Sequence, residues 1–250
     1  MTQAVVLLLL RHGQIVQNPH GRRFVGCSEV ALDDTGKAQA RAAGVALADL
    51  GRAGLPLRHA YSSDLSRGVD TARICLHSAR ECALSGAQKD SRKNDAGGQG
   101  PCLEVLPLPE LREICLGDWQ GLGKEEVEER YPGQLERRGA DLAGYRPPGG
   151  ESFADLSARV LPALDRLARS VLAAGSRLAL VVAHGGVNRA ILCAALGLPL
   201  AQALRLPQDY AHLNILVWRP DGLDVRAVNL APQALAPGWA AAYGLTGDPA

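Results

Sequence analysis

The sequence predicts an α/β fold, a three-layer sandwich with a mostly parallel central sheet and helices on both faces. Two continuous apolar runs, residues 5–10 and 178–183, lack helical spacing and indicate strands that are buried on both faces. Helical stretches separate these runs from other short apolar segments, and strands that alternate with helices favour a parallel sheet. The 250 residues suffice for one large core, so we expect a single domain over residues 1–250.

The N-terminal half alternates between strands, loops and helices. Residues 14–35 are rich in Pro, Gly and Asn and predict a loop, and loops of this length are usually functional. Helices are predicted at 36–50, closed by Gly51, and at 65–83, capped by Ser63 and Asp64, with a short strand at 59–62 between them. The polar stretch at 84–101 predicts a flexible insertion, because strand character resumes at 103–106.

The C-terminal half contains the longest predicted helix. A turn at 116–121 and a charged helix at 124–130 precede a loop at 145–150. Ser152 opens the long helix with Asp155 as its capping-box partner, and Gly175 ends it. Its buried face should consist of Phe153, Leu156, Val160, Leu164, Leu167 and Val171. A helix at 187–196, strands at 213–218 and 223–228, and an Ala/Pro-rich C-terminal tail without predicted order complete the chain.

Composition limits the classes of partner. The formal charge of +1 provides no broad basic face, so neither nucleic acid nor a membrane surface is an expected partner. The histidines and the six cysteines show no metal-ligand spacing, and no metal is expected. The run at 5–10 is too short for a membrane span and lacks a basic leader, which predicts a cytoplasmic protein. The oligomeric state stays open, with a homodimer among the options.

Both long apolar runs end in a histidine followed by a glycine, at His12 and at His184. Ligands of open α/β sheets bind at such carboxyl ends of strands. A neutral imidazole can attack phosphorus, and the forked donors of Arg11 suit phosphate oxygens. Arg67 lies in the first turn of a predicted helix, where the helix dipole disfavours a cation unless an anion binds there. One histidine alone would more often be a hydrogen-bonded core residue, and Arg67 alone could be a surface residue, but the matched pair of histidines indicates an active site.

Five blocks, in order, resemble the histidine phosphatase superfamily, whose members include cofactor-dependent phosphoglycerate mutases. The blocks are Arg11-His12-Gly13, residues 61–67 (YSSDLSR) with Thr71-Ala72, Leu111-Arg112-Glu113 with Gly117, Trp119 and Gly121, residues 148–152 (PGGES), and residues 182–186 (VAHGG). Any one block is weak evidence, whereas five in the family's order are specific.

The resemblance implies a role for each matched residue. His12 would be the nucleophile that becomes phosphohistidine. The residues around the transferred phosphoryl group would be Arg11, Arg67, His184, Asn18 and the backbone of Gly185. Glu113 would donate a proton to the leaving oxygen, with Glu110 as a competitor that lacks the family's distance to Gly117. Neither a metal nor another cofactor is implied.

Two positions bear on the substrate. Mutases of the family carry Arg and Tyr just after the catalytic acid, where this chain has Ile114 and Leu116. Apolar residues there favour the phosphatase branch, and the PGGES block resembles α-ribazole phosphatase. Against this, Lys124 stands where mutases place a substrate lysine, and the arginines at 137–138 could mimic their arginine pair, although a solvated loop pair is the preferred interpretation.

The sequence therefore predicts a metal-independent phosphomonoester hydrolase that acts through a phosphohistidine on a small phosphorylated metabolite, with α-ribazole phosphate as a candidate. One alternative is a cofactor-dependent phosphoglycerate mutase on the same fold. A second alternative is a non-catalytic phospholigand-binding module. Such a module should lack one of the four central residues, and all four are present: His12, Arg67, Glu113 and His184.

Overall fold

A computed structural model describes residues 4–87 and 103–246. Within these ranges six strands form one sheet, and helices cover both of its faces. The strands are β1 (Val5–Arg11), β2 (Ala60–Ser62), β3 (Val105–Pro107), β4 (Leu178–Ala183), β5 (Leu213–Arg219) and β6 (Gly222–Leu230). The helices are α1 (Asp34–Arg52), α2 (Ser66–Ala87), α3 (Lys124–Arg130), α4 (Gln134–Ala140), α5 (Phe153–Ala173), α6 (Gly185–Leu196) and α7 (Trp239–Ala242).

The strand order in the sheet is β3-β2-β4-β1-β5-β6. The four strands β3, β2, β4 and β1 pair in parallel, whereas β5 is antiparallel to both of its neighbours. Among these six strands only β5 runs against the others, so the predicted α/β fold with a mostly parallel sheet is confirmed. The antiparallel β5–β6 hairpin is the part of the sheet that the alternation of strands and helices did not predict.

Strand β1 is the centre of the fold because both of its faces are buried. Side chains at positions 5, 7 and 9 join a core formed with α5 and α6, and those at 6, 8 and 10 join a second core formed with α1 and α2. A side-chain period of two therefore explains why the run is continuously apolar. The three-layer sandwich follows directly from this alternation.

The two long parallel strands end side by side. Arg11 pairs with Ala183 in the register of β1 and β4, and the His12 N–H donates to the Ala183 carbonyl at 2.9 Å. The chain then continues from β1 to α1 on one face of the sheet and from β4 to α6 on the other. Ligands of open α/β sheets bind in the crevice where the connections of two adjacent strands leave on opposite faces, and His12 and His184 lie at that position of this sheet.

The loop after β1 is confirmed, with helix α1 starting slightly earlier than predicted. Asp33 caps α1 by accepting from the Gly36 N–H, and it also accepts from the Gln14 side chain. A Cβ on Gly13 would lie only 2.4 Å from the Gly36 carbonyl oxygen. The end of β1 therefore crosses the start of α1 at backbone contact distance, which only glycine permits.

Two predicted helix ends and one predicted loop are wrong. Helix α1 continues through Gly51, and Gly54 takes the left-handed conformation instead, with φ of 76°. Helix α2 extends through residues 84–87, which were assigned to the insertion. The rest of the predicted flexible insertion, residues 88–101, lies outside the described residues. The arginines at 137–138 belong to α4, so their interpretation as a loop pair is also wrong.

Part of the C-terminal tail is ordered. Trp239 in α7 is buried, and its indole N–H donates to the Ala46 carbonyl of α1 at 3.0 Å. An aromatic side chain with a satisfied polar atom explains how a short Ala/Pro-rich segment docks. Among the helices that the structure describes, none is both long and apolar enough to cross a membrane. The single domain, the cytoplasmic location and the lack of nucleic-acid and membrane partners stay predictions.

Helix α5 is predicted nearly residue by residue. The Ser152 hydroxyl accepts from the Asp155 N–H, and the Asp155 carboxylate accepts from the Ser152 N–H, which completes the capping box. All six side chains of the predicted apolar face are buried. Strong periodicity and a complete cap therefore determined this helix from sequence alone.

Candidate active site

The two histidines at the strand ends lie next to each other. The ring centroids of His12 and His184 are 5.0 Å apart, and both side chains are buried. Ser63 follows β2, the neighbour of β4, and its N–H donates to the Val182 carbonyl at 3.1 Å. Three parallel strands thus deliver polar residues to one end of the sheet; the strand-end pattern predicted the two histidines there but not Ser63.

His12 is held as one defined tautomer. Its Nδ1 lies 2.7 Å from the Gly13 carbonyl oxygen, so Nδ1 carries the proton and donates it there. The lone pair of the neutral ring is therefore on Nε2. Burial, together with the positive charges of Arg11 and Arg67, holds the pKa of His12 well below its usual 6.5. At neutral pH the ring is therefore uncharged, and its Nε2 can act as a nucleophile.

His184 has the opposite tautomer. Its Nδ1 accepts from the Arg67 Nε–H at 3.3 Å, so its Nε2 carries the proton and donates to the Ser63 hydroxyl at 2.6 Å. Burial holds the pKa of His184 well below its usual value, and the charges of His12 and Arg67 act in the same direction. The two imidazoles are therefore chemically distinct although they are neighbours.

Arg67 is a buried cation without a counter-ion. Its guanidinium donates to the carbonyls of Ser28 at 2.6 Å and Gly26 at 2.7 Å, and its residue is only 1% exposed. Among the described residues no carboxylate pairs with it. Burial lowers the pKa of Arg67, and the more distant charge of Glu113 opposes this shift. Because an unpaired buried charge is costly, this arrangement favours a bound anion.

The loop that holds Arg67 is tied to the segment after Glu113 by one side chain. The Gln120 carbonyl oxygen accepts from the N–H groups of Cys27 and Leu116, and its amide donates to the Ser28 hydroxyl. A Cβ on Gly26 would lie within 3.0 Å of the Ile114 carbonyl oxygen. Loop 26–28 is thus packed directly against the segment that carries the predicted proton donor.

Arg11 is also without a carboxylate partner in the described part of the chain. One terminal N–H donates to the Gln208 carbonyl at 2.5 Å, and the guanidinium carbon lies 3.9 Å from the ring centre of Tyr210. Its Nε is buried without a hydrogen-bond partner. Arg189 adds a further guanidinium: a Cβ on Gly185 would lie 3.0 Å from one of its terminal nitrogens and 3.5 Å from the Arg11 Nε.

Glu113 lies at the start of α6, and Glu110 does not. The Glu113 carboxylate accepts from the N–H groups of Gly186 at 3.0 Å and Ile114 at 2.9 Å. Glu110 instead forms an exposed ion pair with Arg166 at 3.0 Å. Only Glu113 is therefore brought next to the histidine-bearing end of the sheet.

The backbone on both sides of Glu113 is fixed by one half-buried ion pair. The Arg159 guanidinium binds the Glu151 carboxylate at 2.7 Å and donates to the carbonyls of Glu110 and Arg112. Glu151 in turn accepts from the Cys115 N–H at 2.9 Å. The PGGES block thus has a structural task here, because its glutamate anchors the segment that presents Glu113.

Two predicted phosphate contacts differ in their placement. Gly185 is the first residue of α6, so its N–H has no intrahelical partner and is available to an anion. Asn18 is exposed, and its side-chain oxygen accepts from the His20 N–H at 2.9 Å within a turn. Within the described residues no hydrogen bond connects Asn18 to His12 or His184, so its contact with phosphate stays a prediction.

Sequence reasoning missed four residues of the site: Ser63, Arg189, Gln208 and Tyr210. Ser63 and Arg189 carried a signal, because Ser63 is in a matched block and Arg189 lies one helical turn after Gly185. Gln208 and Tyr210 precede β5, the strand whose antiparallel pairing was not predicted. Without that pairing nothing in the sequence brings residues 208–210 to Arg11.

The residues used to choose a substrate lie in different environments. Ile114 and Leu116 are buried in the core cluster that also contains Trp119. Their bearing on the leaving group stays a prediction. Lys124 is exposed at the start of α3, and the arginines at 137–138 lie on α4. Among the described residues no cluster of three or more metal-ligating side chains occurs.

Comparisons with known proteins identify the family of the chain. A family model for the "Histidine phosphatase superfamily (branch 1)" matches residues 7–85 and 94–231. The chain is 39% identical over 198 residues to a glucosyl-3-phosphoglycerate phosphatase of Mycolicibacterium vanbaalenii, covering 77% of this chain and 75% of that protein. It is 35% identical over 185 residues to a 2,3-bisphosphoglycerate-dependent phosphoglycerate mutase of Rhizobium etli, covering 74% and 77%.

Solved structures give the same result. A mycobacterial glucosyl-3-phosphoglycerate phosphatase with inorganic phosphate superposes with a TM-score of 0.67 at 29% identity, covering 92% of this chain and 99% of that one. An α-ribazole phosphatase from Shigella flexneri superposes with a TM-score of 0.69 at 23% identity, covering 90% and 96%. The second likeness is informative about the fold alone.

Proposed function

This chain belongs to the histidine phosphatase superfamily, branch 1, and from that membership we propose that it is a phosphomonoester hydrolase that acts through a phosphohistidine on His12. Phosphatases and mutases are both among its relatives. The proposal assigns the transferred phosphoryl group to the crevice between His12 and His184. Its substrate is a small phosphorylated metabolite.

One observation carries the proposal. A neutral histidine with its lone pair on Nε2 lies beside Arg11 and Arg67, and Arg189 lies near Arg11 at Gly185. None of these three guanidinium groups has a carboxylate partner among the described residues. Such a concentration of uncompensated positive charge around a nucleophile requires an anion, and the flat forks of arginine fit phosphoryl oxygens. A packing role for these residues would not explain why the arginines lack counter-ions.

The first chemical step forms the phosphoenzyme. Nε2 of His12 attacks phosphorus, and the bond from phosphorus to the leaving oxygen breaks. Arg11, Arg67 and the Gly185 N–H hold the equatorial oxygens, so charge is stabilised where it accumulates. Glu113 in its protonated form gives its proton to the leaving oxygen, and the alcohol departs neutral.

The second step returns the enzyme to its initial state. Water attacks the phosphorus of phosphohistidine, and the Glu113 carboxylate takes a proton from that water. The bond from nitrogen to phosphorus breaks, His12 regains its neutral ring, and inorganic phosphate leaves. The two N–H groups that bind Glu113 keep its carboxylate near the same oxygen position in both steps.

The proposed reaction needs no metal ion, because protein groups supply all the positive charge that it uses. Two arginines, a helix N-terminus and the N–H groups around the crevice replace the cation that other phosphoryl-transfer enzymes employ. We therefore expect full activity in the presence of a chelator.

The substrate class is the finer part of the proposal. The relatives reported above are named for glucosyl-3-phosphoglycerate and for phosphoglycerate. These names favour a phosphate ester of a glycerate as one candidate. α-Ribazole phosphate is the other, from the resemblance of the PGGES block, although the likeness to an α-ribazole phosphatase structure bears on the fold only.

A mutase is the second candidate function, favoured by 35% identity to a phosphoglycerate mutase. In a mutase the phosphoryl group of His12 returns to a glycerate and not to water. A non-catalytic module would bind phosphate without turnover. The three functions differ in which phosphorus species accumulate.

A ³¹P NMR time course with EDTA present separates these functions. The enzyme is offered 3-phosphoglycerate, glucosyl-3-phosphoglycerate and α-ribazole phosphate in separate samples. Growth of inorganic phosphate supports the proposed hydrolase and ranks the substrates. A 2-phosphoglycerate signal without inorganic phosphate would make the protein a mutase, and unchanged spectra with all three esters would favour the binding module.

The nucleophile is tested by His12→Ala. We expect turnover of p-nitrophenyl phosphate to fall at least roughly 1000-fold, because the covalent step is lost, while the circular dichroism spectrum is unchanged. Rapid acid-free quenching with ³²P-labelled ester should trap a labelled protein in the wild type and not in the variant. His77→Ala, at an exposed position of α2, is the matched control. Near-wild-type turnover by His12→Ala would exclude the mechanism.

A further inference from the structure

The loop at 208–212 has a strained backbone at the edge of the candidate active site. Among the described residues, two non-glycine residues have positive φ, Ala211 at 52° and Asn229 at 56°. The Ala211 N–H donates to the His12 carbonyl at 3.1 Å, and the Asn229 amide donates to the Asp209 carboxylate at 2.7 Å. Strain of this kind persists only where the surroundings enforce it, and it clusters at functional sites.

Buried amides hold the first residue of this loop. The Gln208 side chain accepts from the Asn188 amide at 2.9 Å and donates to the Asn214 side-chain oxygen at 2.8 Å. Asn214 also donates to the Leu9 carbonyl in β1. The loop is therefore fixed to the central strand as well as to its own hairpin, so the position of Tyr210 is well defined.

Tyr210 uses this position to contact Arg11. The guanidinium carbon of Arg11 lies 3.9 Å from the centre of the Tyr210 ring, and the His12 ring lies 5.6 Å from it. The Gln208 carbonyl accepts one N–H of the same guanidinium. Arg11 is thus held from two sides by the 208–212 loop, while its buried Nε has no partner.

We propose that Tyr210 is a positioning residue for phosphoryl binding, whose ring holds the Arg11 guanidinium in the orientation that receives the phosphoryl oxygens. This inference rests on the proposed function, because only there is Arg11 a phosphoryl ligand. A single hydrogen bond to Gln208 leaves the guanidinium free to rotate, and stacking on a ring removes that freedom. The ring carries the effect, since the Tyr210 hydroxyl makes no hydrogen bond among the described residues.

The experiment compares three variants with the wild type by ³¹P NMR titration with inorganic phosphate, which measures binding without turnover. Tyr210→Leu should raise the phosphate Kd roughly five- to twentyfold, the range that loss of a cation–π contact predicts. Tyr210→Phe keeps the ring and should stay within about twofold of the wild type. Tyr243→Leu, on the C-terminal segment, is the matched control and should change nothing. If Tyr210→Leu does not fold, Tyr210→Gln replaces it under the same criterion, because the site is half-exposed.

A double-mutant cycle with Arg11→Gln tests whether Tyr210 affects phosphate binding through Arg11. When Arg11 is already removed, Tyr210→Leu should cause no further loss of phosphate affinity. Additive losses would overturn the inference, as would a loss in Tyr210→Phe equal to that in Tyr210→Leu, or an unchanged Kd in Tyr210→Leu. Hydrolysis of p-nitrophenyl phosphate by the wild type is measured in parallel. Its absence would refute the proposed function, while the binding cycle would still decide the role of Tyr210.

Discussion

Two imidazoles 5.0 Å apart acquire different chemistry from their hydrogen bonds. The Gly13 carbonyl fixes the proton of His12 on Nδ1, and Arg67 fixes the proton of His184 on Nε2. The first ring is left with a nucleophilic Nε2, and the second keeps an N–H at the corresponding atom. A hydrogen-bond partner thus decides which of two identical side chains keeps a free lone pair on Nε2.

At this scale the proton donor can be tested with Glu113→Gln. An alkoxide leaving group needs a proton and a nitrophenolate does not, so hydrolysis of alkyl phosphates should slow roughly 100-fold and that of p-nitrophenyl phosphate less than about tenfold. Steady-state kinetics with a glycerate phosphate and the aryl ester measure both values. Glu110→Gln is the control, because Glu110 pairs with Arg166 on the surface. Equal loss on the two esters, or a stronger effect of Glu110→Gln, would contradict this role for Glu113.

Site residues at the end of a strand or the start of a helix could be predicted from the sequence. Site residues that reach the site through the pairing of distant strands could not. His12, His184 and Arg67 follow from local sequence, because each comes directly after a strand or opens a helix. Tyr210 reaches the site only through the antiparallel pairing of β5 with β1. The substrate argument from Ile114 stays a prediction, since Ile114 is buried in the core and an apolar residue beside a site can belong to both.

At the scale of elements, close contacts at the starts of helices α6 and α1 position the residues of the candidate active site. The first turn of α6 meets Glu113 at Gly186, where a Cβ would lie 2.3 Å from the Glu113 Oε1. At the start of α1 the corresponding contact, between Gly13 and Gly36, is backbone against backbone. Gly186 should therefore tolerate a methyl group better than Gly13, because the Glu113 side chain can move and the packed Gly36 carbonyl cannot.

Gly186→Ala tests the contact between the first turn of α6 and the Glu113 carboxylate. The added methyl group should displace the Glu113 carboxylate, so the variant should resemble Glu113→Gln, with slow hydrolysis of alkyl phosphates and little change with the aryl ester. Its free energy of unfolding should change by less than about 1 kcal/mol, because alanine favours the helix and only a flexible side chain must shift. Urea unfolding and the two-ester assay measure both properties. Gly139→Ala in α4, where a Cβ meets no atom within 4 Å, is the control. Unchanged kinetics in Gly186→Ala would show that the contact is unimportant.

Element boundaries were predicted well where a cap or a period defined them and poorly elsewhere. Helix α5 has both, and α3 begins and ends as predicted. Gly51 failed as a stop signal, because the left-handed turn is taken by Gly54 after α1 has continued through it. Helix α4 has no buried residue and hence no apolar face, so periodicity could not reveal it.

For the whole molecule, one strand with two buried faces organises both cores and the site. The alternation in β1 divides the interior into a core with α1 and α2 and a core with α5 and α6. The α/β class and the parallel strands were predictable from this alternation and from the helices between strands. The order of strands was not, since the position of β4 between β2 and β1 depends on contacts far apart in sequence.

The two buried histidines make the stability of the whole molecule depend on pH. Burial lowers the pKa of both rings in the folded state, so below pH 6.5 the unfolded chain binds more protons than the folded one. The stability that the two neutral rings contribute is fully present above about pH 6.5. It is lost as the pH falls toward the lowered pKa values of the folded state. The free energy of unfolding then decreases by at most about 1.4 kcal/mol per pH unit for each ring. Urea unfolding at pH 7.5, 6.5 and 5.5 should show a falling free energy, and His12→Asn should reduce the slope. His77→Gln, at an exposed position, should leave it unchanged. A flat profile in the wild type would contradict the lowering of both pKa values by burial, because the folded and unfolded states would then bind equal numbers of protons.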